Sequence, residues 1–501
     1  MSLSVGLFVV LSSLTILLAI FHYTTDRRKY WLKRNIPYRE PCPIFGNFGA
    51  TLTLRQSYTQ TLHHFYDKYR NERFVGLFMA RRPTLMVKDL ELIKEIFSTR
   101  FHNFNDRISV ATDTQREPLL RNLANMRGAE WTAMRHAVSP TFTSAKLKAM
   151  FPLVVDCTHG LKEAFAQERD QVEVPRVMTR YTTDVIGSCA FGFNPGSLQS
   201  LESPFFKMSQ KMFKTTRSAS LRRYCRTFFP RIFRLLNLRS YTPDVEAFFT
   251  NIMKQVLEER RKPGAEERHD FIQLMLNVQK TETGSPMTDE LITSNSFIFM
   301  LAGLETSATT SSFCLYELAK NKELQDKLRV EIKECIARHG GLCYEAVAEM
   351  HLVRQSILET LRKHPPTPIT TRVCTQPCTL PGTDLRIEVG QTVIIPFHSI
   401  QNDPQYFPNP DKFDPERFKD DSSPPGFMTF GDGPRMCPGA RFANLVVAAG
   451  LAAILSTLSV EPCARTTPRI NYDTRSVMLK NKGSIWLKFT QIEQNIDSAI
   501  C

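Results

Sequence analysis

Tryptophan is nearly missing: three against 35 phenylalanines in 501 residues. That balance suits an apolar interior or pocket better than a base-stacking surface. Cysteine is sparse as well, twelve with no repeated paired spacing, which excludes a small disulfide-built secreted module. No repeat at a period of about 20 to 50 residues is visible, and no Gly/Ser linker divides 48–501, so solenoids and tethered domain strings are excluded. No Gly-x-Gly-x-x-Gly opens a strand-turn-helix unit, so the chain carries no dinucleotide fingerprint of its own. Acids are in deficit: 64 Lys and Arg against 50 Asp and Glu leave a formal charge of +14. That favours an acidic partner, an anionic membrane surface or nucleic acid. What is present is ordinary globular material, 42% hydrophobic and 23% charged, which excludes wholesale disorder.

Residues 3–21, LSVGLFVVLSSLTILLAIF, hold no charge and would span about 28 Å as a helix, close to the bilayer core. A cleaved signal peptide would carry positive charge before a shorter apolar run and a small-x-small site after it, and neither is there. Arg27, Arg28, Lys29, Lys33 and Arg34 follow the run instead, which places everything downstream in the cytoplasm. The reading is an uncleaved transmembrane anchor at 1–25, a basic and Pro-rich hinge at 26–47 (Pro37, Pro41, Pro43, Gly46, Asn47), and one large body at 48–501 with reduced cysteines.

Helical periodicity covers 145–168, 242–261, 289–337 and 344–363, and short strand patterns lie at 74–78, 83–87, 385–387 and 392–395. The body is therefore mainly α with small β-sheets (α+β). Between 397 and 430 six prolines interrupt the chain, yet Phe407, Phe413, Phe418 and Phe427 thread it, which predicts an ordered, packed meander.

The segment Phe430-Gly431-Asp432-Gly433-Pro434-Arg435-Met436-Cys437-Pro438-Gly439 is a Gly/Pro-rich turn leading into an apolar helical run at 440–458. Glycines let backbone N–H groups approach the sulfur, and a following helix adds positive potential for a thiolate. A lone axial thiolate suits haem iron better than zinc, which wants four ligands. An arbitrary cysteine is more often a small buried hydrophobe. This one sits in Phe-x-x-Gly-x-Arg-x-Cys-x-Gly, which resembles the haem-binding signature of the cytochrome P450 superfamily of haem-thiolate monooxygenases. A chance match in a chain this long is on the order of one in ten thousand.

The resemblance runs over nearly the whole chain and implies that fold, a single large haem domain, with haem b held by Cys437 as the metal ligand and by Phe430 and Gly439 of the same turn. Glu359 and Arg362 lie three apart on one helical face; by resemblance they join Arg417 in a structural ion cluster. Gly303 and Thr306 interrupt a long apolar helix, which by itself reads as a tolerated bend. By resemblance Ala302 lies over the haem, the helix is locally distorted, Thr306 hydrogen-bonds at the oxygen site and Glu305 relays protons. Trp131 and Arg135, four apart, can face one site; by resemblance they, Arg372 and Arg435 hold the haem propionates.

The stretches 41–47, 359–366 and 413–418 look most like microsomal insect members that metabolise xenobiotic and endogenous compounds, while Met436 and Pro438 depart from the commonest residues there. The family's pattern implies a lipophilic small-molecule substrate and O2. It also implies NADPH electrons through a separate cytochrome P450 reductase, with cytochrome b5 as a second donor, in an endoplasmic reticulum membrane protein whose catalytic domain faces the cytoplasm. Nine basic residues between 211 and 239, without one acid, are read as contact with membrane lipids ahead of nucleic acid. Rival readings are a reductase-independent haem-thiolate isomerase or dehydratase and a non-enzymatic haem sensor. By resemblance, substrate specificity lies in 107–125, 205–238, 295–306, 367–371 and 475–479.

Overall fold

The Thr288 side chain accepts the Leu291 amide and starts a 31-residue helix, Asp289–Ala319, buried on nearly every side through its second half. A helix that is apolar all round belongs at the centre of a large core. The computed structural model describes residues 6–8, 11–15, 18, 21–22, 29–107, 113–167, 170–281, 287–420 and 423–492. Numbered along the chain, its main elements are α1 (Tyr58–Lys68), β1 (Phe74–Met79), β2 (Arg82–Val87), α2 (Gly128–Val138), α3 (Ser144–Gln167), α4 (Val174–Ala190), α5 (Pro204–Met212), α6 (Arg217–Phe228), α7 (Pro243–Arg260) and α8 (Phe271–Thr281). The central helix is α9. After it come α10 (Lys322–His339), α11 (Tyr344–Ala348), α12 (His351–Lys363), β3 (Thr370–Val373), β4 (Thr392–Ile395), α13 (Phe397–Gln401), α14 (Ala440–Leu455), β5 (Leu458–Pro462) and β6 (Trp486–Gln491).

Helix α9 packs against α4, α7, α8, α12 and α14 in one apolar core. Gly303 makes the α4 contact possible, because a Cβ there would fall 2.5 Å from Ile186 Cδ1. A second core surrounds a four-stranded sheet of order β1-β2-β4-β3. In it β1–β2 and β3–β4 are antiparallel and β2–β4 is parallel. Strands β5 and β6 form a separate antiparallel sheet with Val172–Glu173.

The structure departs from the sequence reading in three ways. The helical period at 289–337 is two helices, because the Asn321 side chain accepts the Leu324 amide and begins α10. The period at 344–363 also breaks. There the Glu331 carboxylate of α10 accepts the Leu352 and Val353 amides at 2.8 and 3.0 Å and caps α12 from outside. The Pro-rich hinge is built into the sheet core from Trp31 onward. The Trp31 indole is fully buried and donates to the Leu77 carbonyl at 3.0 Å, and the Pro37 carbonyl accepts the Gly76 amide at 2.8 Å. Prolines lack donors, so this segment joins β1 through isolated bridges rather than a ladder.

Among the described residues no helix is long and apolar enough to cross a membrane. The expected anchor at 1–25 lies largely outside them. Its described pieces are helical, and Leu7, Phe8, Leu11, Leu14, Leu18 and Phe21 are exposed.

The expected meander, whose described residues are 397–420 and 423–430, opens with α13 and is packed. Phe407 and Phe418 are buried, and Phe427 packs edge-on against Phe418.

Candidate active site

Cys437 is held three residues before α14 by its own amide, which donates to the Phe430 carbonyl at 2.9 Å. The Met436 amide bonds to the Gly433 carbonyl at 2.9 Å, and Gly433 presses on the Phe97 carbonyl of the neighbouring turn. Burial pushes the Cys437 thiol up; the Gly439 amide and the guanidiniums of Arg107 and Arg135 pull the other way.

Above this turn lies a cavity of about 560 Å³. Its lining brings together Trp131, Arg135, Ala302, Thr306, Arg372, Phe430, Arg435, Cys437 and Gly439 from four separate stretches of chain. Most of the remaining wall is apolar, and every charged side chain in it is an arginine: Arg107, Arg135, Arg372 and Arg435.

These arginines share little negative charge. Arg435 stacks over the Trp131 ring at 4.2 Å, donates to the Met126 carbonyl at 2.9 Å and lies 3.6 Å from Asp106. Arg372 stacks over Phe97 at 4.7 Å and donates to the Thr371 carbonyl. Burial pulls both down to about 9, and repulsion from Arg107 adds to it. The Nε atoms of Arg107, Arg372 and Arg435 are buried without a hydrogen-bond partner. Orphaned buried donors of one charge sign call for anionic acceptors. A flat, largely apolar cofactor carrying two carboxylates fits this donor set, and the haem group is such a molecule.

Arg107 is a site residue that sequence reasoning placed only in a specificity segment. It donates to the Arg435 carbonyl at 3.0 Å. Its neighbour Asp106 accepts the Val373 amide at 2.8 Å, which holds β3 and so Arg372 beside it. The sequence signal for β3 is only Thr370, Thr371 and Val373, β-branched but too short to stand out.

One expectation for α9, the local distortion, is corrected. The helix runs unbroken through 302–306, and the Thr306 hydroxyl donates to the Ala302 carbonyl, so the backbone is not distorted there. That local bond lets threonine sit inside a helix without breaking it. Glu305 is buried but does not line the cavity; its carboxylate turns away to an ion pair with Lys480.

Glu359, Arg362 and Arg417 do come together. Two hydrogen bonds of 2.7 and 2.8 Å join Glu359 to Arg362, both wholly buried, and Arg417 Nε lies 3.5 Å from Glu359. Arg362 also donates to the Gln401 and Pro410 carbonyls, and the Asp414 amide to Glu359, which ties the meander to α12. None of the three lines the cavity.

A cysteine before a helix, under an apolar cavity edged with unanswered guanidiniums, has the chemistry of a haem-binding protein. Comparison with known proteins gives the family. The model of the cytochrome P450 family matches residues 36–488. A Drosophila melanogaster protein named "Probable cytochrome P450 6a13" is 34% identical over 480 residues, covering 95% of this chain and 96% of its own length. Cytochrome P450 6B1 of Papilio polyxenes is 33% identical over 506 residues (96% and 99%), and cytochrome P450 6k1 of Blattella germanica is 32% identical over 504 (95% and 96%). The chain belongs to the cytochrome P450 family, of the type found in these insects, and is an oxidoreductase of the haem-thiolate monooxygenase class.

Proposed function

We propose that this enzyme inserts one oxygen atom of O2 into a lipophilic small molecule, with electrons from NADPH delivered by a separate reductase. The balance is substrate C–H plus O2, two electrons and two protons, giving the alcohol and water. The observation that carries it is the Cys437 turn lying beneath a cavity with three orphaned guanidinium Nε atoms.

Cys437 Sγ would hold the iron of haem b, and Arg107, Arg135, Arg372 and Arg435, with Trp131, its two carboxylates. When bound, the haem supplies the electron transfer and oxygen activation that side chains cannot. Two carboxylates would offset the burial that depresses Arg372 and Arg435 and the repulsion from Arg107 that adds to it. Phe430 and Gly439 would shape the sulfur side, and Ala302, exposed to the cavity, leaves room above. The Thr306 hydroxyl, bonded to the Ala302 carbonyl on the cavity wall, would deliver a proton there, and Glu305, the next residue along α9, would restore it on leaving its ion pair with Lys480. Glu359, Arg362 and Arg417 act on the fold, fixing the meander that leads into the Cys437 turn.

Residues 1–25 would anchor the enzyme in the endoplasmic reticulum membrane with the body in the cytoplasm. Exposed Leu221, Ile232, Leu235 and Leu236 among the basic residues of 211–239 support a second lipid contact. Exposed Ile44 and Phe45 adjoin it, since Phe48 packs on Phe228. Basic side chains on the sulfur side would meet the acidic reductase, with cytochrome b5 as an alternative donor.

The test is the reduced, CO-bound spectrum with NADPH and reductase. The parent should show the red-shifted band of thiolate ligation, Cys437→Ala should lose it, and organic product should require NADPH plus reductase. Product formed without reductase would favour an isomerase or dehydratase instead.

A further inference from the structure

Glu305 and Lys480 are 175 positions apart and form an ion pair that runs from interior to surface, their side chains 8% and 28% exposed. Lys480 belongs to a tongue at 471–482, closed by pairing of Tyr472 with Asn481, by the Asp473 amide donating to the Lys480 carbonyl at 2.8 Å and by the Lys482 amide donating to Asn471. The tongue reaches three other places. Met478 near its tip lines the cavity. The Arg475 carbonyl accepts the Ser220 hydroxyl of α6 at 2.7 Å. The Leu479 amide donates to the Pro366 carbonyl at 3.1 Å, just past α12. Asp473 and Arg475 pair with each other at 3.0 Å, so Glu305 is answered by Lys480.

We propose that Lys480 is a positioning residue that ties the Glu305 carboxylate to this tongue, so that whatever presses on Met478 or moves α6 also sets where the carboxylate stands. Protons then enter from solvent at the Lys480 end of the pair rather than along the substrate cavity. The proposal rests on Glu305 being the proton relay beside Thr306. In each passage the carboxylate takes one proton from a solvent hydronium ion, leaving water, and passes it to the Thr306 oxygen as that hydroxyl gives its own proton to the cavity; the empty carboxylate then returns to the lysine. Two passages match the two protons that monooxygenation consumes. An ammonium is suited to the task because it holds the empty carboxylate strongly and the protonated one weakly, so loading the relay also frees it to turn.

The experiment compares the full-length holoenzyme with Lys480→Met, Lys480→Arg, Glu305→Gln and the Lys480→Met/Glu305→Gln double variant, all checked for intact CO binding. Two readouts are taken: amide hydrogen exchange across 471–482, and hydrogen peroxide released per O2 consumed with NADPH and reductase. Lys480→Met and Glu305→Gln should each speed exchange at 479–482 and each raise the peroxide ratio at least about two-fold, the low end for residues in contact. The double variant should be no worse than either single one, and Lys480→Arg should restore both readouts. Faster exchange with an unchanged peroxide ratio in Lys480→Met would reduce the pair to a structural tie and overturn the proposal, as would additive effects in the double variant. If Glu305→Gln raises peroxide and Lys480→Met does not, the relay reading survives without Lys480. If Glu305→Gln leaves the ratio unchanged, the relay reading itself is wrong.

Discussion

Gly433 lies so close over the Phe97 carbonyl that a Cβ built on it would fall 2.0 Å from that oxygen. Its φ of 70° is also left-handed. Alanine there meets backbone, which cannot swing aside, and adds a strain of about 1–3 kcal/mol. The turn must lift, and the Met436–Gly433 bond that precedes Cys437 lifts with it. Gly433→Ala should therefore load haem several-fold less completely than the parent, measured as haem per polypeptide. Equal loading would show that the Cys437 turn tolerates a looser seat.

Glu359→Gln leaves the buried Arg362 guanidinium with backbone carbonyls but without the carboxylate that answers its charge. Removing one partner of such a pair costs about 3–5 kcal/mol, read from urea unfolding of the holoenzyme. A loss under about 1 kcal/mol would put this cluster with exposed pairs such as Lys322–Asp326.

Thr306→Val keeps the side chain's shape and removes its hydroxyl. Positioned general acids contribute about 10²- to 10⁴-fold, so product per NADPH should fall steeply while hydrogen peroxide rises and the CO-bound spectrum stays. Unchanged product per NADPH would move the proton-delivery role to Glu305 or to ordered water.

His398 on α13 governs part of the acid limb. Burial, and then the charges of His63, His364 and Arg362, hold it down at about 3, while its Nε2 sits 3.2 Å from the Tyr472 hydroxyl. The unfolded chain accepts that proton near pH 6.5, the folded one only near 3. Its contribution is thus complete above about pH 6.5 and is lost as pH falls from there toward 3, by up to about 1.4 kcal/mol per unit. His398→Gln should flatten the decline of unfolding free energy between about pH 6 and 4. An equally steep decline would assign the acid sensitivity to other groups.

Removal of residues 1–25 should loosen membrane attachment and leave haem loading intact, because Trp31 remains in the sheet core. Removal of 1–35 takes that indole away and should destabilise the body by about 3–5 kcal/mol, the usual cost of a lost buried aromatic. Thermal melts of the two truncated chains distinguish them. Identical stability would mean that the 31–48 segment packs without supporting the core.

Features written within a few residues of each other were legible in the sequence alone. The Cys437 turn is written in its own glycines and prolines and the helix behind it, though Phe97 fixes its seat, and most long helices show in their apolar period. The tertiary structure decided what depends on distant partners. Glu331 caps α12 from another helix, Asp106 sets β3 and Arg372 beside Arg107, and Trp31 turns a Pro-rich hinge into part of a sheet core. Above all, Lys480 draws Glu305 out of the cavity that its neighbour Thr306 lines. Local pattern determines backbone conformation because φ/ψ preference and hydrophobic period act over one or two turns. Where a charged side chain ends is set by the nearest opposite charge in space, and only the folded chain brings residues 305 and 480 together.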